Sequence, residues 1–250
     1  MSACLWIVIV NFRTSALVID CLRSISSQID ALGKGRVIVL DNNSGDESAK
    51  TLSATIDREN WRTWAECMPL DRNGGFAFGN NAGIREAMRS ADHVDYVMLL
   101  NPDTIVLDGA IGALVEFMNA HRRVGIAGSR LETAEGKAEN SAHTAFSPLG
   151  ELETGARLGF LTRALNRYSV SPPMRETAHE CDWISGASLI VRREVFEDVG
   201  LLDEGYFLYF EEADFCRIAK NAGWEVWFVP ESRVVHLEGA STGIRNVVRR

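Results

Sequence analysis

Apolar residues come along this chain in short unbroken runs, and the stretches between them carry helical spacing. The runs Leu5–Val10, Val37–Leu40, Tyr96–Leu100 and Val124–Ala127 are four to six residues long and rich in valine, isoleucine and leucine. Between them the period changes to that of a helix, as in Leu17, Cys21 and Ile25, and again in Ile84, Ala87 and Met88. Continuous apolar strands alternating with helices predict a parallel sheet covered on both faces. Such sheets bind ligands beyond the carboxyl ends of their strands. The polar residues that directly follow each run are therefore the first candidates for function.

The rhythm breaks from about residue 147 to 180, where Pro148, Pro172 and Pro173 flank Leu158, Phe160, Leu161, Ala164, Leu165 and Tyr168. This reads as an inserted loop with one short amphipathic helix. Order returns with a strand over Trp183–Val191 and a helix from about Glu212 to Ala222, whose Phe215, Ile218, Ala219 and Ala222 share one face. Two more short strands, Glu225–Phe228 and Arg233–Leu237, close the pattern. No repeat or low-complexity tract interrupts it, so one domain over residues 1–250 is expected.

Composition changes this picture in three places. A net charge of −8 disfavours a nucleic-acid-binding face, although a bound cation can still admit a polyanionic ligand. The five cysteines (Cys4, Cys21, Cys67, Cys181 and Cys216) are odd in number and form no C-x-x-C, which points to a reducing compartment and no zinc site. Leu5–Val10 is too short for a signal peptide or a membrane span, so a cytoplasmic location is expected.

The strand ends carry polar groups. Asn11, Phe12 and Arg13 follow the first run, and Asp41-Asn42-Asn43-Ser44-Gly45-Asp46 follows the second. The latter can hydrogen-bond a base and a ribose, or can simply form a turn and cap the next helix. Asn73-Gly74-Gly75-Phe76-Ala77-Phe78-Gly79-Asn80-Asn81-Ala82-Gly83 matches neither a dinucleotide fingerprint nor a P-loop. Its paired glycines suit close approach to a ligand, with Gly79 to Gly83 opening a helix whose N-terminus favours anions, or a tight structural turn. Asn101-Pro102-Asp103 directly follows the run Tyr96–Leu100, and Asp103 offers a hard oxygen ligand or a turn cap. Glu211, Glu212 and Asp214 crowd the start of the penultimate helix after Tyr206, Phe207, Tyr209 and Phe210. The helix dipole accounts for part of this cluster, but aromatic neighbours would also make a carboxylate a stronger base. His236 at the last strand end is either a ligand or a packed histidine.

Taken in order, these motifs resemble family 2 of the glycosyltransferases, with the GT-A fold, and within it bacterial rhamnosyltransferase-like enzymes of polysaccharide assembly. The resemblance runs through Ile9-Val10-Asn11-Phe12, Asp41-Asn42-Asn43-Ser44, the Asn73–Gly83 segment, Asn101-Pro102-Asp103, Ser185-Gly186-Ala187, Phe207–Asp214, and His236 with Gly239-Ala240-Ser241-Thr242. It implies an α/β fold with a mixed, mostly parallel central sheet flanked by helices. A Rossmann-like nucleotide-binding half would span about residues 1–130, and an acceptor and catalytic half about residues 131–250.

The resemblance also implies roles. Asn11, Phe12 and Asp41 would face the pyrimidine base, while Asn73, Gly74, Gly75, Gly79 and Asn81 would line the nucleotide and diphosphate pocket with Asn101. Asp103 and His236 would hold Mg²⁺ or Mn²⁺, Ser185 and Gly186 would shape the sugar pocket, and Glu212 would be the catalytic base of an inverting transfer. Two departures stand out: Asn101 occupies the first acidic position of the family's Asp-x-Asp motif, and the base is Glu rather than Asp, so Asp214 or Glu211 can share its role. The implied partners are a dTDP- or UDP-sugar, with dTDP-rhamnose first, and a glycan or lipid-linked glycan acceptor at the inner face of the plasma membrane. Leu158, Phe160, Leu161 and Leu165 with Arg157, Arg163 and Arg167 are candidates for peripheral membrane contact, or for packing on their own domain. Many members of the family continue past the position of His236 by more than the fourteen residues found here, so an acceptor- or membrane-contacting tail is expected further on. Two rival classes remain in view. A non-catalytic nucleotide-sugar-binding subunit has no reason to keep Glu212, Asp103 and His236, and a nucleotidyltransferase would want a basic, glycine-rich N-terminal loop where Val8–Ser15 offers only Arg13.

Overall fold

The computed structural model describes residues 3–144 and 175–237. In chain order the first half contains β1 (Leu5–Asn11), α1 (Ser15–Leu32), β2 (Gly35–Asp41), α2 (Ser48–Arg58), β3 (Ala65–Pro69), α3 (Gly75–Arg89), β4 (Tyr96–Leu100), β5 (Thr104–Val106) and α4 (Ala110–Ala120). The second contains β6 (Val124–Glu132), β7 (Ala138–Glu139), β8 (Ala142–His143), β9 (His179–Glu180), β10 (Trp183–Ile184), β11 (Ser188–Arg192), α5 (Arg193–Val199), α6 (Glu211–Asn221) and β12 (Glu225–His236).

The main sheet runs β3-β2-β1-β4-β11-β6-β12-β5, with β7 beside β6 and β9 beside β12, while β8 and β10 form a separate ribbon. Its first four strands are all parallel, and β11 then enters antiparallel between β4 and β6. The mixed, helix-flanked sheet expected from the sequence is what is found.

Period and packing agree along β1. Leu5, Ile7 and Ile9 join one core with α1 and α4, whereas Val8 joins the core on the other face, under α3 and α6. Helix α1 buries Val18, Cys21, Leu22, Ile25 and Ile29, one stripe of a 3.6-residue period, and stops at Gly33 in the left-handed region. No helix among the described residues is long and apolar enough to cross a membrane.

Three expectations need correction. Trp183–Val191 is two strands, because Ser185 N–H donates to Ser141 at the ribbon while Ala187 C=O accepts from Asn101 in the main sheet. The chain changes sheets across Gly186. Glu225–Phe228 and Arg233–Leu237 belong to one strand, β12, whose register shifts between Val229 and Arg233. Pro230 lies in that shift, where its missing N–H costs no ladder bond. Finally, α3 opens at Gly75, four residues before the expected Gly79, so Gly79 and Gly83 lie inside it. A Cβ would stand 2.7 Å from Val10 at Gly79 and 2.5 Å from Val8 at Gly83, so these glycines bring the helix down onto β1. Most of the expected insertion and its membrane-contact candidates fall outside the described residues, as does Gly239-Ala240-Ser241-Thr242.

Candidate active site

The strand order reverses direction at β1, with β2 and β3 on one side and β4 on the other. A crevice opens at such a switch point. Here it is a cleft of about 290 Å³. Val10, Phe12 and Thr14 border it from β1, Asn42 and Asn73 from the ends of β2 and β3, and Asn101 and Pro102 from the end of β4. Gly75 and Phe76 of α3 close one wall, and Phe207, Leu208 and Tyr209 reach over from the second half.

The floor is fixed by short polar side chains. Asn11 is fully buried, and its Nδ2 donates to Asp41 Oδ1 at 2.6 Å and to Ser44 Oγ at 3.2 Å. Ser44 donates to the same carboxylate through Oγ at 2.5 Å and through its N–H at 3.2 Å. Both oxygens of Asp41 thus accept protein hydrogen bonds beneath the cleft. Above them, Asn42 Nδ2 donates to Asn73 Oδ1 at 2.9 Å and to the Gly75 carbonyl at 3.0 Å.

Just past the Pro102 border of the cleft, pairing of β5 with β12 sets His236 opposite Thr104, and Leu237 N–H donates to the Asp103 carbonyl at 2.9 Å. His236 Nε2 consequently lies 3.4 Å from Oδ1 of the buried Asp103. A carboxylate and an imidazole side by side suit a divalent cation that takes its other ligands from a substrate diphosphate and water. No group of three or more His, Cys, Asp or Glu that could hold a metal occurs among the described residues. Two such donors leave coordination positions that a diphosphate and water would fill.

The three acids of α6 separate by environment. Asp214 accepts from Arg217 at 2.6 and 3.2 Å. Burial, and then the charge of Glu212, push the Glu211 carboxyl up to about 7. Burial also raises Glu212, offset in part by the backbone N–H groups of Glu212, Gly186 and Phe210. The Oε2 atoms of both glutamates have no hydrogen-bond partner among the described residues. Gly186 is the link to the cleft: a Cβ there would stand 3.6 Å from both Glu212 Cβ and the ring of Phe76.

The approach to α6 is strained. Tyr209 and Phe210 are consecutive non-glycine residues at φ of 71° and 74°, a conformation that persists only where its surroundings hold it. One restraint is visible in the Phe76 N–H, which donates to the Phe207 carbonyl at 2.9 Å. Phe207 is 60% exposed, and Leu208, Tyr209, Phe210 and Phe12 are also exposed beside the cleft.

Of the residues singled out from sequence, Phe12, Asn73, Gly75 and Asn101 border the cleft, whereas Asp103 pairs with His236 just past the bordering Pro102 and does not itself line it. Gly74 precedes the wall, packed against Phe78. Asn11 and Asp41 lie beneath the floor. Gly79 and Asn81 do not reach the cleft, because they face the inside of the fold: Asn81 is tied to Leu202 and Glu204. Ser185 and Gly186 belong to the Glu212 side. Sequence reasoning passed over Thr14 and gave no role of its own to Asn42, both at strand ends where the signal was present.

A model of the family described as "Glycosyltransferase like family 2" matches residues 3–250. The chain belongs to this glycosyltransferase family. It is 29% identical over 223 residues to an N-acetylglucosaminyl-diphospho-decaprenol L-rhamnosyltransferase of Mycobacterium tuberculosis, covering 83% of this chain and 68% of that protein. It is 27% identical over 166 residues to the rhamnosyltransferase WbbL of Escherichia coli, covering 65% of this chain and 60% of WbbL. Among solved structures, GalNAc-T7 with UDP, GalNAc and Mn²⁺ superposes with a TM-score of 0.69 over 95% of this chain and 45% of that one, at 16% identity. The mannosyltransferase PcManGT of Pyrobaculum calidifontis, in complex with GDP-Man and Mn²⁺, gives 0.62 over 93% and 56%, at 13% identity. At these identities the structures establish the GT-A fold, and they show that it accommodates a divalent metal beside a nucleotide or nucleotide sugar.

Proposed function

We propose that this family 2 glycosyltransferase is an inverting, metal-dependent enzyme that moves rhamnose from dTDP-rhamnose to a glycan on a lipid carrier, in cell-surface polysaccharide assembly at the cytoplasmic face of the membrane. The observation that carries the chemistry is the placement of Glu212. A half-buried glutamate at the head of α6 is joined through Gly186 and Phe76 to the cleft, and Asp103 and His236 pair just past its Pro102 border. The donor and acceptor classes are supported by the rhamnosyltransferase relatives, one of which names a diphospho-decaprenol substrate. UDP-sugars are the next donor class.

Asp103 Oδ1 and His236 Nε2 would hold Mg²⁺ or Mn²⁺. When bound, that ion neutralises charge on the departing diphosphate as a Lewis acid. The protein does the rest. Phe12, Asn42, Asn73 and Asn101 seat the nucleoside along the cleft, over a floor fixed by Asn11 and Asp41. Such orientation contributes several kcal/mol to lowering the barrier. Glu212 removes the proton from the acceptor hydroxyl as its oxygen attacks the anomeric carbon on the face opposite the leaving group. Burial makes its carboxylate a stronger base than an exposed one. The aromatic strap Phe207–Phe210 covers the approach and keeps water from competing.

The test is product analysis with dTDP-rhamnose, Mn²⁺ and a lipid-linked N-acetylglucosamine acceptor. Acceptor-dependent release of dTDP with an inverted linkage is the expected outcome. A retained linkage would sink the single-displacement mechanism, and transfer only from UDP-sugars would move the donor assignment.

A further inference from the structure

Glu211 is a buried acid to which the mechanism gives no task. It is the first residue of α6 and 3% exposed, and its Oε2 has no hydrogen-bond partner among the described residues. The charge that bears on it is that of Glu212, a like charge, so an ionised carboxyl here costs the fold stability. What favours the ionised form is backbone: the N–H of Glu211 itself and the N–H of Tyr209. No backbone carbonyl among the described residues accepts from Tyr209.

The strained turn explains how that N–H comes to face a side chain. Tyr209 and Phe210 are left-handed, at φ of 71° and 74°, and Glu211 then begins a right-handed helix. A change of hand between successive residues turns their N–H groups into one concavity that suits an anion. The chain supplies the anion itself, because the Tyr209 N–H bears on Glu211 and the Phe210 N–H on Glu212. The turn also ends a wall. Phe207, Leu208 and Tyr209 border the donor cleft, while Tyr206 and Phe210 border a second cavity of about 520 Å³ along α6. The Phe207 end of this wall is held by the Phe76 N–H. Phe207, Tyr209 and Phe210 are more than half exposed, so burial contributes little to holding the rest.

We infer that Glu211 is a positioning residue, whose carboxylate holds the Tyr209 N–H and so keeps the strap in place as a wall of the donor cleft. The contact stands on the backbone geometry, and its use to the enzyme rests on the nucleotide-donor reading above. Adjacent glutamates thus divide the work. Glu212, beside Gly186, serves the reaction, and Glu211 serves the backbone that precedes it.

The experiment is amide hydrogen exchange across residues 207–210, paired with calorimetry for UDP and dTDP in Mn²⁺, on the whole chain and three variants. Glu211→Gln keeps an oxygen that accepts from an N–H, Glu211→Met keeps the length without an acceptor, and Glu211→Ala keeps neither. Met and Ala should raise exchange at Tyr209 about tenfold to a hundredfold, with exchange in β1 unchanged. Both should bind the nucleotide about tenfold more weakly, and Gln should stay within about threefold of wild type in both readouts. A purely structural role would instead lower protection throughout the fold and leave Gln no better than Met. The Ala variant decides the matter should Met fail to fold. Wild-type exchange at Tyr209 in a folded Met or Ala variant, or a Gln variant as fast as Met, overturns the contact. Fast exchange with undiminished nucleotide affinity overturns the positioning role. Failure of wild type to bind either nucleotide overturns the donor reading and the use given to the wall, while the exchange arm still decides the contact.

Discussion

His236 Nε2 lies 3.4 Å from Asp103 Oδ1, across 133 residues of sequence, because β12 and β5 pair antiparallel with His236 opposite Thr104. The pair is an arrangement made by the sheet and not by local sequence. Asp103→Asn should abolish the Mn²⁺-dependent part of nucleoside-diphosphate binding, and His236→Ala should weaken it by about tenfold, on the scale of a lost metal-site partner. Titrations with and without Mn²⁺ measure this directly. Equal binding in the two conditions for wild type would remove the metal from the mechanism.

Glu212→Gln should lower turnover by about 10²-fold to 10⁴-fold, the range expected for a missing general base, while nucleotide affinity stays within about twofold. The wild-type pH profile supplies a second readout. A base must be ionised to act, and burial raises the Glu212 carboxyl. Its kcat/KM should therefore fall on acidification at a pH above the ordinary glutamate range, and the variant should lack that limb.

Glu211 gives a stability signature instead. Its carboxyl is pushed up to about 7 in the folded protein from an ordinary 4.5. The native state then holds more protons than the unfolded state between those values, so its contribution is complete below about 4.5 and is lost as pH rises through about 7. Denaturant melts of wild type and Glu211→Gln should converge in acid, with the variant relatively more stable at pH 8. Parallel pH dependence of the two proteins would show that the carboxyl ionises normally.

Gly75 tests the strap. Its φ is +90°, and a Cβ there would fall 2.1 Å from the Phe207 carbonyl oxygen, a backbone atom. Gly109 has a similar φ of +79° with nothing within 4 Å of the added atom. Gly109→Ala should cost about 1 kcal/mol from backbone strain alone, whereas Gly75→Ala should cost more and should also loosen nucleotide binding. Thermal melts with a binding titration on each variant separate the two effects. Equal losses would mean that the strap does not bear on α3.

Legibility in the sequence followed the range of the contacts involved. β1 is seven residues with its interior buried on both faces, so its apolar run alone marks it. Asn101-Pro102-Asp103 stands out because a polar triplet follows a fully buried strand at the sheet's switch point. Gly79 and Asn81 looked like ligand residues because spacing reveals a glycine-rich, amide-rich segment but not which way α3 turns it. Asn42 was hidden by the carboxylate before it: charge drew notice to Asp41, and only hydrogen bonds to Asn73 and Gly75 show which neighbour faces the cleft. Gly186 was noted as a motif, but its position between Glu212 and Phe76 depends on the chain leaving one sheet for another.

The sheet order has a temporal consequence. β5, which sets the position of Asp103, stands at the end of the strand order, and the strand it is hydrogen-bonded to is β12. Asp103 is therefore synthesised early but cannot be seated until the chain has been made through His236. The strands and helix at the other end, β1, β2, β3 and α3, need only the chain through Arg89. The two ends of one cleft thus draw on parts of the chain made at very different times.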